Sequence, residues 1–368
     1  MKQEIISGKD SYKKIEQILS QYRCQKFLLV CDSAFPFLYL KEYFETLGVS
    51  YVIFDAFSPN PLYEDVCKGV ELFREEQCEV IIAVGGGSTI DVAKCIKLYS
   101  QMNKETIYLE QEYRDTKVPL IAVPTTAGTG SESTRYAVIY YEGKKQSVTH
   151  DSIVPNYAIL SAEVLKTLPL YQKKCTMLDA FCQGIESWWS VNSTEESKEY
   201  SKEAVQLIMR YMDDYIEGNS VEATEQIMLA SNYAGRAINI TQTTAPHAMS
   251  YKLTSFYHIP HGHAVAICLP KVWDYMWKHL EQCIDPRGKD YLLDIFMQIS
   301  KELKMECIEN AIHKVEDILQ TLEIEAPNAR KEELEGLVAS VNPVRLKNNP
   351  VQLDKESLSY LYERILFK

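Results

Sequence analysis

The apolar positions of this chain change rhythm near residue 168. Before that point, short apolar runs alternate with segments of helical spacing. Residues 27–31, 50–54, 80–84, 120–123 and 155–160 read as buried strands, most of them ending in turn or hydroxyl residues. Residues 40–47, 63–77 and a stretch beginning near Asp91 carry apolar side chains three and four apart, which predicts helices. Ser58-Pro-Asn-Pro61 breaks the chain before the second helix, and Glu64 and Asp65 fall in its first turn, where they complement the helix dipole. Such alternation predicts a parallel, Rossmann-like sheet with helices on both faces. Beyond Leu168 the strand-like runs nearly vanish. Residues 173–191, 197–215, 221–240 and the tail from Tyr291 are helical in spacing, interrupted at Ala326-Pro327 and Asn342-Pro343. The expected plan is an α/β domain over 1–168 and an all-α domain over 169–368.

The totals narrow the function. A chain of 368 residues is comfortable for two domains, and 46% hydrophobic with 24% charged residues is ordinary for a globular protein. A net charge of −12 argues against nucleic acid as a partner, because binding phosphates along a strand needs an excess of Lys and Arg. A small anion needs only a local basic pocket and stays in play. The ten cysteines are scattered singly, with no Cys-x-x-Cys pair, which predicts reduced thiols and a cytoplasmic protein. No apolar signal core or membrane-length run is present, so no membrane partner is expected.

Chemistry concentrates in two places. Four of the seven histidines, His247, His258, His261 and His263, fall among small, apolar and aromatic residues. Buried imidazoles need partners, and the usual ones are a metal, a substrate or a hydrogen-bond network. A metal is the leading reading; packed core histidines are the other. Asp179 and Gln183 are four apart and share a helical face, with Glu186 three further along, amid Met177, Leu178, Phe181, Ile185 and Trp188. With His247 and His261 on a helix–loop–helix, they make a four-ligand set for Fe²⁺ or Zn²⁺. The second place is Gly85-Gly86-Gly87-Ser88, between a strand and a helix, where backbone N–H groups can approach a diphosphate. The spacing is not G-x-G-x-x-G, and such turns also arise for steric reasons. Thr125 to Ser131, at the end of the next strand, tips the balance towards a dinucleotide.

This ordered set resembles the iron-containing (group III) alcohol dehydrogenases: Gly85–Ser88 with Asp91 and Lys94, Pro124-Thr-Thr-Ala-Gly-Thr-Gly-Ser-Glu132, Asp179-Ala180, and His247 followed by Ile259-Pro-His-Gly262. The resemblance implies an N-terminal dinucleotide-binding domain, a helical domain and a metal site in the cleft between them. It implies hydride transfer between NAD(P) and an alcohol or aldehyde. Asp179, His247 and His261 match three family metal ligands, while the fourth, a histidine in the family, is Gln183 here. A family relay histidine is replaced by Tyr251, with His263 or His258 as substitutes. The cofactor set becomes Asp32, Asn60, Gly85, Gly86, Gly87, Ser88, Asp91, Thr125, Thr126, Thr129, Ser131 and Lys145. Asp32 disfavours a 2′-phosphate and so leans towards NAD over NADP. The segments around Asp179 and His247 are similar to the phosphonoacetaldehyde reductase branch, which implies reduction to 2-hydroxyethylphosphonate, with Arg135, Lys252 and His258 as a basic pocket. A general short-chain alcohol dehydrogenase is the alternative. A dehydroquinate-synthase-type lyase and a metal-free binding protein are the rivals. Family members often form homodimers, which is expected here.

Overall fold

The computed structural model of the chain describes residues 3–218 and 220–367. Its strands in chain order are β1 (Glu4–Ser7), β2 (Lys26–Cys31), β3 (Ser50–Phe54), β4 (Val80–Gly85), β5 (Leu120–Pro124), β6 (Tyr136–Tyr141), β7 (Lys144–Thr149) and β8 (Tyr157–Leu160). Six of them form one parallel sheet in the order β1-β8-β5-β4-β2-β3. The central strands β2, β4 and β5 are buried almost throughout, which is why they read as continuous apolar runs rather than alternating ones. The helices here are α1 (Lys14–Gln21), α2 (Leu40–Thr46), α3 (Tyr63–Glu75) and α4 (Gly87–Tyr99). From β2 the chain passes through α2 to β3 on one side, whereas β4 lies on the other side of β2 and leads through α4 to β5. The strand order therefore reverses between β2 and β4, and the carboxyl ends of strands at such a reversal are where sheets of this kind bind ligands.

Two details depart from the expectation. Helix α4 starts at Gly87, four residues before Asp91, because Thr89 and Ile90 are buried and hold its first turn against the protein. An antiparallel hairpin, β6 with β7, lies where no strand was expected. Its two-residue turn is Glu142-Gly143, both at positive φ, the backbone that matches the twist of paired strands. A buried network ties the hairpin to α4. Asp91 accepts from Ser131 Oγ (2.6 Å) and from the Val138 N–H (2.9 Å). Fully buried Lys94 donates to Ser131 Oγ, Thr134 Oγ1 and the Tyr136 carbonyl at 3.1, 3.0 and 2.8 Å.

The chain clusters into two units, Met1–Leu168 with Asn219–Asn232, and Pro169–Gly218 with Tyr233–Lys368. The second is helical: α5 (Leu170–Trp189), α6 (Glu195–Ile216), the C-terminal part of α7 (Val221–Thr241), α8 (Ala245–Tyr257), α9 (His261–Lys278), α10 (Lys289–Glu302), α11 (Ile308–Thr321), α12 (Leu334–Ser340), α13 (Pro343–Leu346) and α14 (Lys355–Leu366). Helix α5 packs along α6 and α9, and α9 along α8. Trp189, Trp273 and Phe296 meet edge-on or tilted in its core, with ring centroids 5.7–6.0 Å apart. The start of α7 belongs to the first unit, where the Asn232 amide donates to Glu132 Oε1 (3.2 Å) and Ser133 Oγ (2.5 Å). Among the described residues no helix is long and apolar enough to cross a membrane.

Candidate metal and dinucleotide sites

Three helices of the second unit bring the histidines and the aspartate together. Asp179 lies in the middle of α5, His247 in the first turn of α8, and His261 opens α9 behind Pro260. One donor atom from each lies within 4.8 Å of the others. Helix α8 ends at His258, whose left-handed backbone (φ 54°) reverses the chain so that Ile259-Pro260 leads directly into α9. Gly262 lets α9 sit tightly on α5, since a β-carbon there would stand 1.9 Å from the Cys175 carbonyl oxygen and 2.9 Å from Asp179 Cβ. That close approach sets His261 opposite Asp179. Gln183 follows one turn after Asp179, is equally buried, and hydrogen-bonds its carboxylate.

The donor set fits a divalent cation. Asp179 Oδ1 and His247 Nε2 are 3.3 Å apart, and both are buried without a hydrogen bond of acceptable geometry. Such orphaned polar atoms are costly unless something else pairs with them. The other imidazole nitrogen is spoken for: His247 Nδ1 donates to Glu186 Oε1 at 2.5 Å. Glu186 Oε2 accepts from the Thr244 N–H (2.7 Å) and from Thr244 Oγ1 (2.9 Å), and Thr244 Oγ1 accepts from Trp189 Nε1 (2.9 Å). A carboxylate behind a histidine fixes the tautomer and aims the free nitrogen at the metal position. Burial pulls the His247 pKa down, but the charge of Glu186 and the contacts with Asp179 outweigh it and raise it to about 9. Burial likewise pushes Asp179 up, and His247, His261 and Gln183 more than offset it, leaving its carboxyl below the ordinary value.

Tyr251 stands one turn after His247. Its ring stacks on His261 with centroids 5.5 Å apart and planes 11° from parallel. Arg345 Nη1 donates to the Tyr251 hydroxyl oxygen at 2.9 Å, a bond that does not use the hydroxyl hydrogen. His263 is placed differently. It is buried, Nδ1 meets the Tyr171 hydroxyl at 2.8 Å, and Nε2 donates to the Glu325 carbonyl at 2.7 Å. With both nitrogens occupied it ties α9 to α5 and to the loop after α11. Lys252 is exposed and lies over the Phe256 ring, and His258 is an exposed turn residue.

The glycine and hydroxyl loops converge in the first unit. A β-carbon on Gly85 would stand 2.3 Å from Thr89 Oγ1 and 2.8 Å from Asp32 Oδ2, and one on Gly87 2.9 Å from Thr129 Cγ2. A β-carbon on Gly86 would meet nothing nearer than Thr126, at 3.6 Å. Gly85 and Gly87 are therefore required by close packing, while Gly86 keeps the approach to the start of α4 open. No side chain caps that helix start, so its first N–H groups are left for an anion. Asp32, at the end of β2, accepts from the Ala34 N–H (2.9 Å) and lies 3.3 Å from Thr89 Oγ1. Ser88 is half-buried in the first turn of α4, and Asn60, at φ 61°, is an exposed turn residue before α3. Asp91 and Ser131 spend their polar atoms on the hairpin network rather than facing a ligand, with Lys145 among the charges around Asp91. Arg135 pairs with Asp151 at 3.2 Å and lies over the Tyr136 ring. Nothing in the sequence marks Arg345, and Glu186 carries no role that the sequence alone assigns. The useful signal was Glu186 three residues past Gln183, on the face that carries Asp179.

Nearly the whole chain resembles known proteins. Residues 2–162 match the family described as "Iron-containing alcohol dehydrogenase", and residues 174–366 match "Fe-containing alcohol dehydrogenase family, C-terminal". The chain is 35% identical to "Probable alcohol dehydrogenase EutG" of Salmonella typhimurium, over 62% of this chain and 59% of that protein, so it matches somewhat over half of that relative's length. It is 31% identical to the phosphonoacetaldehyde reductase of Streptomyces viridochromogenes, over 78% of this chain and 76% of that one. The sulfoacetaldehyde reductase of Bifidobacterium kashiwanohense, solved in complex with NAD⁺, shares the fold with a TM-score of 0.88 at 24% identity, covering 100% of this chain and 97% of that one.

Proposed function

Because the chain belongs to the iron-containing alcohol dehydrogenase family, we propose that it is a metal-dependent, NAD(P)-linked reductase of a small aldehyde. The observation that carries this reading is the set of buried Asp179, Gln183 and His247 with half-buried His261, with His247 locked by Glu186 so that its remaining nitrogen faces Asp179. Those four residues would hold the metal. Gly85, Gly86, Gly87, Ser88, Thr125, Thr126 and Thr129 would hold the dinucleotide. A metal held there would supply polarisation of an aldehyde carbonyl, and a reduced nicotinamide would supply hydride. The protein's own part is positioning and a proton. Tyr251 Oη, receiving a hydrogen bond from Arg345, keeps its proton available for the product alcohol.

Phosphonoacetaldehyde is the substrate we favour, supported by the 31% identical relative of that name. A general reductase of uncharged aldehydes is the second reading. It is favoured by the loss of the sequence-predicted pocket: Arg135 is paired with Asp151, and Lys252 and His258 are exposed. NADH and NADPH oxidation by metal-analysed protein, with phosphonoacetaldehyde beside propanal, tests both. A preference for the phosphonate of about a hundredfold in kcat/KM supports the first reading, and a flat profile retires it. No turnover with any aldehyde overturns the reductase. The unpaired cysteines fit a reducing compartment, and a homodimer belongs to the same proposal.

Two substitutions probe the departures from the family pattern. Gln183→His replaces an amide oxygen by an imidazole, a better donor for Zn²⁺ or Fe²⁺. It should tighten metal binding about tenfold or more, read by competition with a chelator. Asp32→Ser removes the carboxylate beside the expected ribose position and should raise the NADPH-to-NADH ratio of kcat/KM about thirtyfold. An unchanged ratio would move the cofactor discrimination away from Asp32.

A further inference from the structure

The chain carries 51 acidic against 39 basic residues, so a half-buried guanidinium without a carboxylate runs against its composition. Arg345 is such a group. It sits in α13, donates Nη1 to the Tyr251 hydroxyl and lies 5.0 Å from that ring's centroid. Among the described residues no acidic side chain pairs with it, whereas Arg287, Arg330 and Arg364 are held by carboxylates and Arg74, also without one, spends its donors on the Tyr99, Ser100 and Met102 carbonyls and the Tyr108 hydroxyl. Its position is also particular. One aromatic ring, Tyr251, separates it from the His261 imidazole on which that ring stacks, and His261 is within 4.8 Å of Asp179 and His247. The cation and the aldehyde-polarising site are thus joined through a single side chain of α8.

We propose that Arg345 is the anion receptor of this site: it binds the tetrahedral oxyanion of an aldehyde whose second carbon bears a phosphonate or sulfonate. The guanidinium spends one N–H on Tyr251 and keeps the rest of its planar fork, which matches two oxygens of such a group. Tyr251 fixes the fork's direction, so little side-chain freedom is lost when the anion arrives. A two-carbon aldehyde carries its oxyanion on the atom next to the carbonyl, which calls for a receptor close to the metal ligands, and Arg345 and His261 both touch the Tyr251 ring, at 5.0 and 5.5 Å from its centroid. Lys252, exposed over Phe256, offers neither the desolvation nor the fork.

The proposal rests on the reductase reading, and the test separates the two. Wild type, Arg345→Gln and Arg345→Lys are loaded with metal and titrated calorimetrically with 2-hydroxyethylphosphonate, 2-hydroxyethanesulfonate and 1-propanol. KM and kcat are then measured for phosphonoacetaldehyde, sulfoacetaldehyde and propanal. Arg345→Gln should weaken binding of one or both oxyanions about a hundredfold and raise the KM of the matching aldehyde similarly, at least ten times more than it affects propanal. Arg345→Lys should fall between, keeping charge but losing the fork. The oxyanion that responds identifies the substrate. An equal loss on propanal would make Arg345 a support for Tyr251 only, and no loss would remove it from the site; either overturns the proposal. If the Gln variant does not fold, the Lys variant alone decides, a selective loss supporting the proposal and a uniform or absent one overturning it. Arg345-dependent oxyanion binding by a wild type that reduces no aldehyde would sink the reductase and leave the anion site standing.

Discussion

His247→Ala should leave a protein that binds dinucleotide, holds almost no metal and reduces no aldehyde. Removing a partner behind a ligand typically weakens metal binding about 10–100-fold, so removing the ligand itself should weaken it about a thousandfold or more. A second consequence concerns stability. Glu186 is fully buried, and its Oε1 accepts a hydrogen bond from His247 Nδ1. Without the imidazole that oxygen is stranded, although Thr244 still serves Oε2. An uncompensated buried charge of this kind costs about 3–5 kcal/mol. Urea unfolding should register the loss, and Glu186→Gln in the His247→Ala background should recover part of it. Metal analysis, NADH fluorescence and turnover are read on the same sample. Full activity in His247→Ala would discard the metal site, and intact stability would discard the pairing with Glu186.

Gly262→Ala should be nearly as damaging, for a reason unrelated to conformational freedom. Its φ is not positive; the constraint is the Cys175 carbonyl of α5, 1.9 Å from where the new carbon would sit. A backbone oxygen cannot rotate away as a side chain can, so α9 must lift from α5. Overpacking usually costs about 1–3 kcal/mol, and a backbone collision belongs at or above the upper end. The lift also carries His261 away from Asp179. The expected result is a lower melting temperature together with weak metal binding, although no candidate ligand has been touched. A variant that melts and binds metal like wild type would show that the helices have slack where the structure shows contact.

Much of this was written in the chain, and the gaps have physical causes. Strands β2, β4 and β5 were legible because burial on both faces leaves an uninterrupted apolar run. The helices from α5 to α7 were legible because their spacing repeats for some twenty residues each. The hairpin β6–β7 was not, since its signal is one Glu142-Gly143 turn between strands with a partly exposed, mixed pattern. Asp179, His247 and His261 stood out because ionisable groups in apolar surroundings need a partner. Asp91 and Ser131 look like ligand groups in the sequence, and only the structure shows Lys94 and the Val138 N–H absorbing them. Arg345 was invisible for a simpler reason. Nothing in Pro343-Val-Arg-Leu346 says which ring its guanidinium will meet ninety-four positions upstream.

The division of α7 between the two units bears on how the chain is made. A ribosome releases residues 1–168 well before Asn232, yet Asn232 supplies the amide that bonds Glu132 and Ser133. Until Asn232 emerges, after α5 and α6, the nascent first unit lacks the hydrogen bonds that this amide gives to Glu132 and Ser133. A fragment ending at residue 168 would inherit the same deficit permanently. The two units are consequently not successive beads on the nascent chain, and the earlier one is finished by a segment translated after part of the later one.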